Sequence, residues 1–500
     1  MIPDSSIDTV RSLLQREKLT KGLLLATAAA SLGTLQIGYC LWPIHNPAAV
    51  LLDFYNSTID KKSEATKYQK RLMKFCIMIY PFGGMIGALL FGYLADLWGR
   101  KRTLVISNCV NIFGAFFMLL SKMLKELKYA LFGRFVFGVG AGIMMCGVAL
   151  YIIEICPPHR RGTLYMVSVL SLTFGTFVSQ VVSLSINEGP LSGATSQMSL
   201  IGIVAIPNII IWYYMPESPR YLFIQKDNEI AARTVLKKLR EDDNVEEEVE
   251  GMRQEIICEK DKKHLNAVKL LSCRDLRKPL LSALMLMMGN QLTGVNGVYV
   301  YTGKLQTELH GQGYDIRLAI IVVNIILHSG LIMMTTLIDS MGRRFLLLLG
   351  FMVCSFTCVI LAVTLENQNK NSALSHFSFF VVVVFLLAHM IGPGPIPYLL
   401  TGELFLQSSR GTAYMLAGFM NWFTRFLVRL LFIFLEPYVG SHGLLLFWPF
   451  CVIAFVYIFK RVPETRGRTF VEIWKGAGSP KRLRKKSSHK KDKKKEKEIK

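Results

Sequence analysis

The residues best placed to do chemistry in this sequence are charged, and they come in duplicate. Asp96-Leu97-Trp98-Gly99-Arg100-Lys101 returns 243 residues later as Asp339-Ser340-Met341-Gly342-Arg343-Arg344. Glu154, with Arg161-Gly162 seven positions on, returns after 249 residues as Glu403 with Arg410-Gly411. Pro216-Glu217-Ser218-Pro219-Arg220 returns after 247 residues as Pro463-Glu464-Thr465-Arg466. Three motifs repeating at nearly one spacing mark an internal duplication. Their carboxylates and guanidiniums can pair where low dielectric meets water, where an ion pair is stronger than on a soluble surface. The chemistry available is a reversible latch between two like halves. The plainer alternative is that the motifs cap helices and fix topology.

Other features point to shape rather than reaction. The histidines are dispersed, no His/Glu/Cys group has metal-ligand spacing, and neither a phosphate loop nor a nucleophile–base pair is present. An enzyme, a metal and a cofactor are therefore not expected. The ten cysteines form no CxxC pair and lie mostly in apolar runs, as small buried hydrophobes do. In Gly392-Pro393-Gly394-Pro395-Ile396-Pro397 three prolines withhold backbone donors, so a helix must break there. Broken helices at membrane depth line cavities and bend. Arg425 and Arg429 stand four apart inside an apolar run. An arginine there costs at least about 2.5–3.5 kcal/mol unless it faces a cavity or a partner.

The elements that must position these residues are membrane helices. The chain of 500 residues is 52% hydrophobic and 19% charged, against about 45–50% and about 25% for soluble domains. Twelve apolar windows of roughly 20 residues recur: 22–43, 72–95, 103–121, 129–155, 163–186, 197–215, 278–302, 316–338, 345–366, 375–405, 411–436 and 442–460. The expected fold is all-α and polytopic: twelve transmembrane helices in two pseudo-symmetric six-helix bundles. The bundles are 22–215 and 278–460, flanked by an N-terminus (1–21) and a basic tail (461–500). Between them lies a charged insert (216–277), amphipathic from Glu229 to Lys263 and expected to form short surface helices. Basic loops at Arg100–Arg102, Arg160-Arg161, Arg343-Arg344 and Arg410 share one side, which by the positive-inside rule is the cytoplasm, with both termini. Asn56-Ser57-Thr58 is a glycosylation sequon in the first outer loop.

The net charge of +23 is concentrated at the end of the chain: Lys481 to Lys500 holds twelve Lys/Arg and three Asp/Glu. No aromatic residue interleaves that run, which argues against nucleic acid. The plain reading is a solvated cytoplasmic tail; the functional one is contact with anionic lipid head groups, at about 1 kcal/mol per basic residue.

At these residues the chain resembles the facilitative sugar transporters of the major facilitator superfamily, from about Leu32 to Gly476. The specific runs are Gly92–Arg100, Pro216–Leu222, Gln291-Leu292-Thr293-Gly294-Val295-Asn296, Gly392–Pro397 and Val462–Phe470. Tyr398 after the Gly-Pro run, Gln291-Leu292-Thr293, Ala388-His389 and Glu403–Arg410 resemble the fructose-transporting branch. The resemblance implies uniport of a hexose, fructose or glucose class, by alternating access at the plasma membrane, with a monomer sufficient. It implies sugar contacts at Gln291, Asn296, Asn290, His389 and Trp422. It places an outer gate at Tyr301, whose partner position is Val300 with Tyr299 beside it. The hinge would be Gly392, Pro393, Gly394, Pro395 and Pro397. The cytoplasmic gate would be Asp96, Arg100, Glu154, Arg161, Glu217, Arg220, Asp339, Arg343, Glu403, Arg410 and Glu464. Val169 and Leu327 replace amide side chains of the family, and Arg425 replaces a polar one. Gly38-Tyr39 is followed by Cys40, where proton-coupled relatives carry an acid. Two alternatives follow from the departures: a carrier of an organic anion such as urate, held by Arg425 and Arg429, and a solute sensor that does not transport.

Overall fold

The computed structural model describes residues 19–41, 63–124, 126–185, 190–259, 267–299, 316–367 and 372–478. Asn56, Val300, Tyr301 and the run Lys481 to Lys500 lie outside them.

The first half contains α1 (Lys21–Leu41), α2 (Ser63–Trp98), α3 (Arg100–Leu124), α4 (Leu127–Ile155) and α5 (Arg161–Ser185). Its last helix, α6, comes in two pieces, Pro190–Ser199 and Ile201–Tyr214. The second half contains α7 (Arg274–Leu292), α8 (Ile316–Met341) and α9 (Arg343–Asn367). Next come α10, split into Ser372–Ile391 and Ile396–Leu404, α11 (Gln407–Val439) and α12 (Trp448–Arg461). Among the described residues, ten of these twelve are long and apolar enough to cross a membrane; α7 and α11 fall short. The shortfall has a cause. In α7 it is the charge of Asp275, Arg277 and Lys278 within a helix of 19 residues; in α11 it is Asn421, Arg425 and Arg429, which line the interior cavity.

Where the sequence predicts one span over 278–302, Gly294 interrupts α7 at φ +88°, and the helix resumes from 295 to 299. The predicted break in α10 falls at 392–395. The predicted twelfth span begins as a 3-10 turn, Gly440–Leu446, before α12.

The halves meet along α2 against α11 and α5 against α8. Under the duplication α2 corresponds to α8 and α5 to α11, so the two contacts are symmetry mates. Inside each half the helices approach closely because small residues line the contacts, as membrane helices require. A Cβ on Gly38 of α1 would lie 1.8 Å from the Leu172 carbonyl oxygen of α5.

The insert folds as Glu229–Arg240 and Glu246–Glu259, around buried Ala232, Leu236, Val249 and Met252. Asn228 Oδ1 caps the first of these by accepting the Ala231 amide at 2.9 Å. A short helix, Phe470–Gly478, follows α12.

Candidate functional site

The duplicated motifs explain one another in three dimensions. Gly99 and Gly342, each between two consecutive helices, adopt φ +88° and +91°, a conformation that costs a side-chain-bearing residue about 1–2 kcal/mol. Each turn exposes the first amides of the next helix, and an acid from the third motif accepts them. Glu217 takes the Arg100 and Lys101 amides at 3.0 and 3.1 Å. Glu464 takes those of Arg343 and Arg344, both at 3.0 Å. Glu217 and Glu464 thus act within their own halves, as caps at helix N-termini. Burial still pushes the Glu217 carboxyl above its ordinary range, outweighing those donors.

The remaining acids sit between the halves. Arg100 pairs with Glu154 at 3.0 Å and Arg343 with Glu403 at 3.1 Å, each inside one half. From those anchors the acids reach across. Glu154 accepts Gln407 Nε2 of α11 at 2.7 Å, and Glu403 lies 3.9 Å from Arg161 of α5. Asp339, at the end of α8, accepts the amide and hydroxyl of Thr163 on α5, both at 2.7 Å. Asp96 stands over Gly411 of α11, where a Cβ would lie 2.8 Å away. Each half therefore presents an aspartate to the N-terminus of a helix in the other, where the helix dipole favours it.

Two features of this rim escaped the sequence reading. The Phe470 ring receives the guanidiniums of Arg161, Arg410 and Arg220 at 3.9, 3.9 and 4.6 Å, gathering charges from both halves. Glu255 of the insert accepts the Gln407 amide at 2.9 Å and pairs with Arg410 at 3.3 Å and with Arg220. Beside it Glu259 accepts the Ser408 amide at 2.9 Å. Burial, followed by repulsion from Glu255, raises the Glu259 carboxyl to about 7. Phe470 closes the Val462–Phe470 run, but nothing local marks it as a collector of arginines. Glu255 and Glu259 look like a solvated helix face until the insert docks.

Beyond the rim, both halves enclose a cavity of about 210 Å³. Asn290, Gln291, Asn296, Tyr299, His389 and Trp422 all line it, as do Gly394 and Pro395 of the break in α10. The break frees backbone acceptors, and α7 answers one of them: Asn290 Nδ2 donates to the Gly394 carbonyl at 2.9 Å. Gln291 is the hub. Its Nε2 donates to Asn421 Oδ1 at 2.9 Å, while its Oε1 accepts from Asn296 at 3.1 Å and from Arg425 Nε at 3.1 Å. Asn421 in turn donates to the Tyr398 hydroxyl at 3.0 Å. His389 Nδ1 lies 3.2 Å from the Thr293 hydroxyl. Trp422 packs edge-on to Tyr80 and covers Gly84 of α2, with the Arg425 guanidinium 5.1 Å from its ring.

The facing wall comes from α5 and α8. Val169 and Leu327 are there, and Asn324 donates across the halves to Gln180 at 2.6 Å. Gln180 and Asn421 were not singled out from the sequence; a polar residue inside an apolar span is the only signal either gives. The amides at Gln180 and Asn324 stand one to three helical turns from the positions where Val169 and Leu327 replace family amides.

Residues 25–476 match the family model described as "Sugar (and other) transporter". The chain belongs to the sugar transporter family. It is therefore a membrane transporter and not an enzyme. The transporter is 36% identical over 466 residues to human solute carrier family 2, facilitated glucose transporter member 7, covering 91% of this chain and 90% of that protein. It is 35% identical over 460 residues to rat facilitated glucose transporter member 5, covering 91% and 92%. In fold it is similar to the major facilitator proton:xylose symporter XylE bound to 6-bromo-6-deoxy-D-glucose. That likeness has a TM-score of 0.80 at 20% identity, and covers 91% of this chain and 99% of that one. XylE from E. coli in a partially occluded inward open conformation matches with a TM-score of 0.71 at 20% identity, covering 90% and 100%. The twelve helices are those of the major facilitator fold.

Proposed function

We propose that this transporter is a uniporter for a hexose-class solute, working by alternating access. The observation that carries the reading is a largely apolar cavity with a cluster of polar side chains, walled by both halves, and a charged rim where bonds cross between them. Gln291, Asn296, Asn290, His389 and Trp422 would contact the solute, amides and an aromatic face being what a sugar requires. The crossing contacts at Glu154, Glu403, Asp96 and Asp339, with their arginines, would break as the rim opens. Glu217 and Glu464 would hold the turns that aim Arg100 and Arg343. The α10 break, Gly392 to Pro395 with Pro397, would absorb the bend.

Passive transport is favoured because no carboxylate lines the cavity among the described residues. The charged rim would face the cytoplasm at the plasma membrane, with both termini inside, Asn56 glycosylated outside, the basic tail near anionic lipid and one chain sufficient. The bundles 22–215 and 278–460 would move as units. Proteoliposomes loaded with unlabelled hexose should accumulate labelled fructose or glucose by counterflow. Binding without exchange would make the protein a sensor, and the carrier reading would fall. Impermeant labels reaching the Arg100 and Arg343 turns from opposite sides of the membrane would overturn the two-bundle arrangement.

A further inference from the structure

The cavity is charged in a way that a neutral sugar leaves unanswered. Among its described lining residues the ionised side chains are Arg425 and Arg429, and no Asp, Glu or Lys joins them. The two guanidiniums sit one turn apart on α11, on the same face of the helix. Among the described residues Arg425 donates from Nε to Gln291 Oε1 at 3.1 Å, and its guanidinium lines the cavity 5.1 Å from the Trp422 ring. Arg429 donates from Nε to Asn296 Oδ1 at 3.4 Å, and its buried Nη1 has no partner. Arg429 is 6% exposed, so water does not solvate that charge freely. A buried cation without a counter-charge is strongly disfavoured, and arginine does not escape by losing its proton.

The same bonds alter what the α7 wall can offer. Gln291 is fully engaged, its carbonyl oxygen accepting from Asn296 and Arg425 and its amide donating to Asn421 and Asn290, so the donor to spare on this wall is the Arg429 guanidinium. A carboxylate is the natural complement: two oxygens accepting from a planar fork of donors. Hydroxyls of the same solute would find Thr173, Thr176, Gln180 and Asn324 on the opposite wall.

We propose that the cavity's preferred ligand is a polyhydroxylated carboxylate, a sugar acid such as a hexuronate, with its carboxylate held between Arg425 and Arg429. This rests on the reading of the protein as a hexose-class carrier and narrows it. A net negative charge would then cross with each turnover, because the arginines stay with the protein.

The test uses the full chain in proteoliposomes, with labelled glucuronate and labelled fructose at equal concentration, and a potassium diffusion potential set by valinomycin. Glucuronate should exchange at least about tenfold faster than fructose, the effect of roughly 1.4 kcal/mol of preferential binding. An inside-positive potential should accelerate glucuronate uptake and leave fructose indifferent. Arg429→Gln and Arg425→Gln should each lower the glucuronate-to-fructose ratio at least about tenfold. As a readout that survives a poorly folding variant, glucuronate should raise the thermal unfolding midpoint of the wild-type protein in detergent more than glucose does. Fructose exchange with no glucuronate exchange, inhibition or stabilisation overturns the sugar-acid assignment and leaves the hexose carrier standing. Glucuronate stabilisation without exchange of either solute does the reverse. Neither exchange nor stabilisation overturns both.

Discussion

Removing the Phe470 ring should loosen the charged rim. Phe470 is 3% exposed and contacts Arg161 of α5, Arg410 of α11 and Arg220 after α6. Arg161 and Arg410 belong to different halves, so the ring is an attractive surface for two cations that would otherwise repel. Two of these contacts, with Arg161 and Arg220, cross between the halves, and at about 1 kcal/mol each they sum to roughly 2 kcal/mol that exists only while the rim is closed. Phe470→Ala should therefore shift the balance between closed and open rims by roughly thirtyfold. Spin labels at Arg102→Cys on α3 and Ser340→Cys on α8, both exposed, report that opening as a lengthened pulsed-dipolar distance. Phe470→Leu keeps an apolar side chain but no ring quadrupole, and should open the rim nearly as far. An unchanged distance distribution in Phe470→Ala, with the protein folded, would refute the ring's role as a latch. Opening in the alanine but not the leucine variant would show that filled volume matters, not cation–π attraction.

Three further outcomes are expected. Gln291→Ala removes the partner of Asn421, Asn296 and Arg425 together, and leaves buried polar groups that each cost about 1–3 kcal/mol; solute affinity in counterflow should fall at least about tenfold. The Glu259 carboxyl, raised to about 7 when the insert is docked against an ordinary 4.5, binds more protons docked than free between those values. Docking is thus fully favoured below about 4.5 and weakens as pH rises through about 7. Protection factors across Glu246–Glu259, corrected for the intrinsic pH dependence of amide exchange, should be higher at pH 6 than at pH 8, and Glu259→Gln should abolish the difference. Gly392→Val would put a Cβ 2.4 Å from the Leu346 carbonyl oxygen, forcing α10 off α9; membrane yield and thermal stability should both drop.

Much of this architecture was legible in one dimension. A bilayer admits few ways to satisfy a backbone, so apolar windows of about 20 residues give membrane helices. A duplicated charge pattern then gives two equivalent halves. The break at Gly392 to Pro395 was readable because proline removes donors whatever surrounds it. The interruption of α7 at Gly294 was not, since a lone glycine in an apolar run looks like any other until its φ is known.

Pairing was the part that needed three dimensions. From spacing alone Glu217, Glu464, Glu154 and Glu403 looked like one class of latch residue. Folding separates them, because only the first two reach the amides freed by the Gly99 and Gly342 turns, while the other two reach the opposite half. Phe470, Glu255 and Glu259 gained their places when segments far apart in sequence converged on the N-terminus of α11. Arg425 and Arg429 announced by cost alone that they must face something. The tertiary structure decided what: a cavity whose amides bond them and in which no described carboxylate answers their charge. Sequence sets what each segment can bury, a local property of side chains and backbone donors. Which charges meet depends on contacts more than a hundred residues apart, and those exist only once the halves have packed.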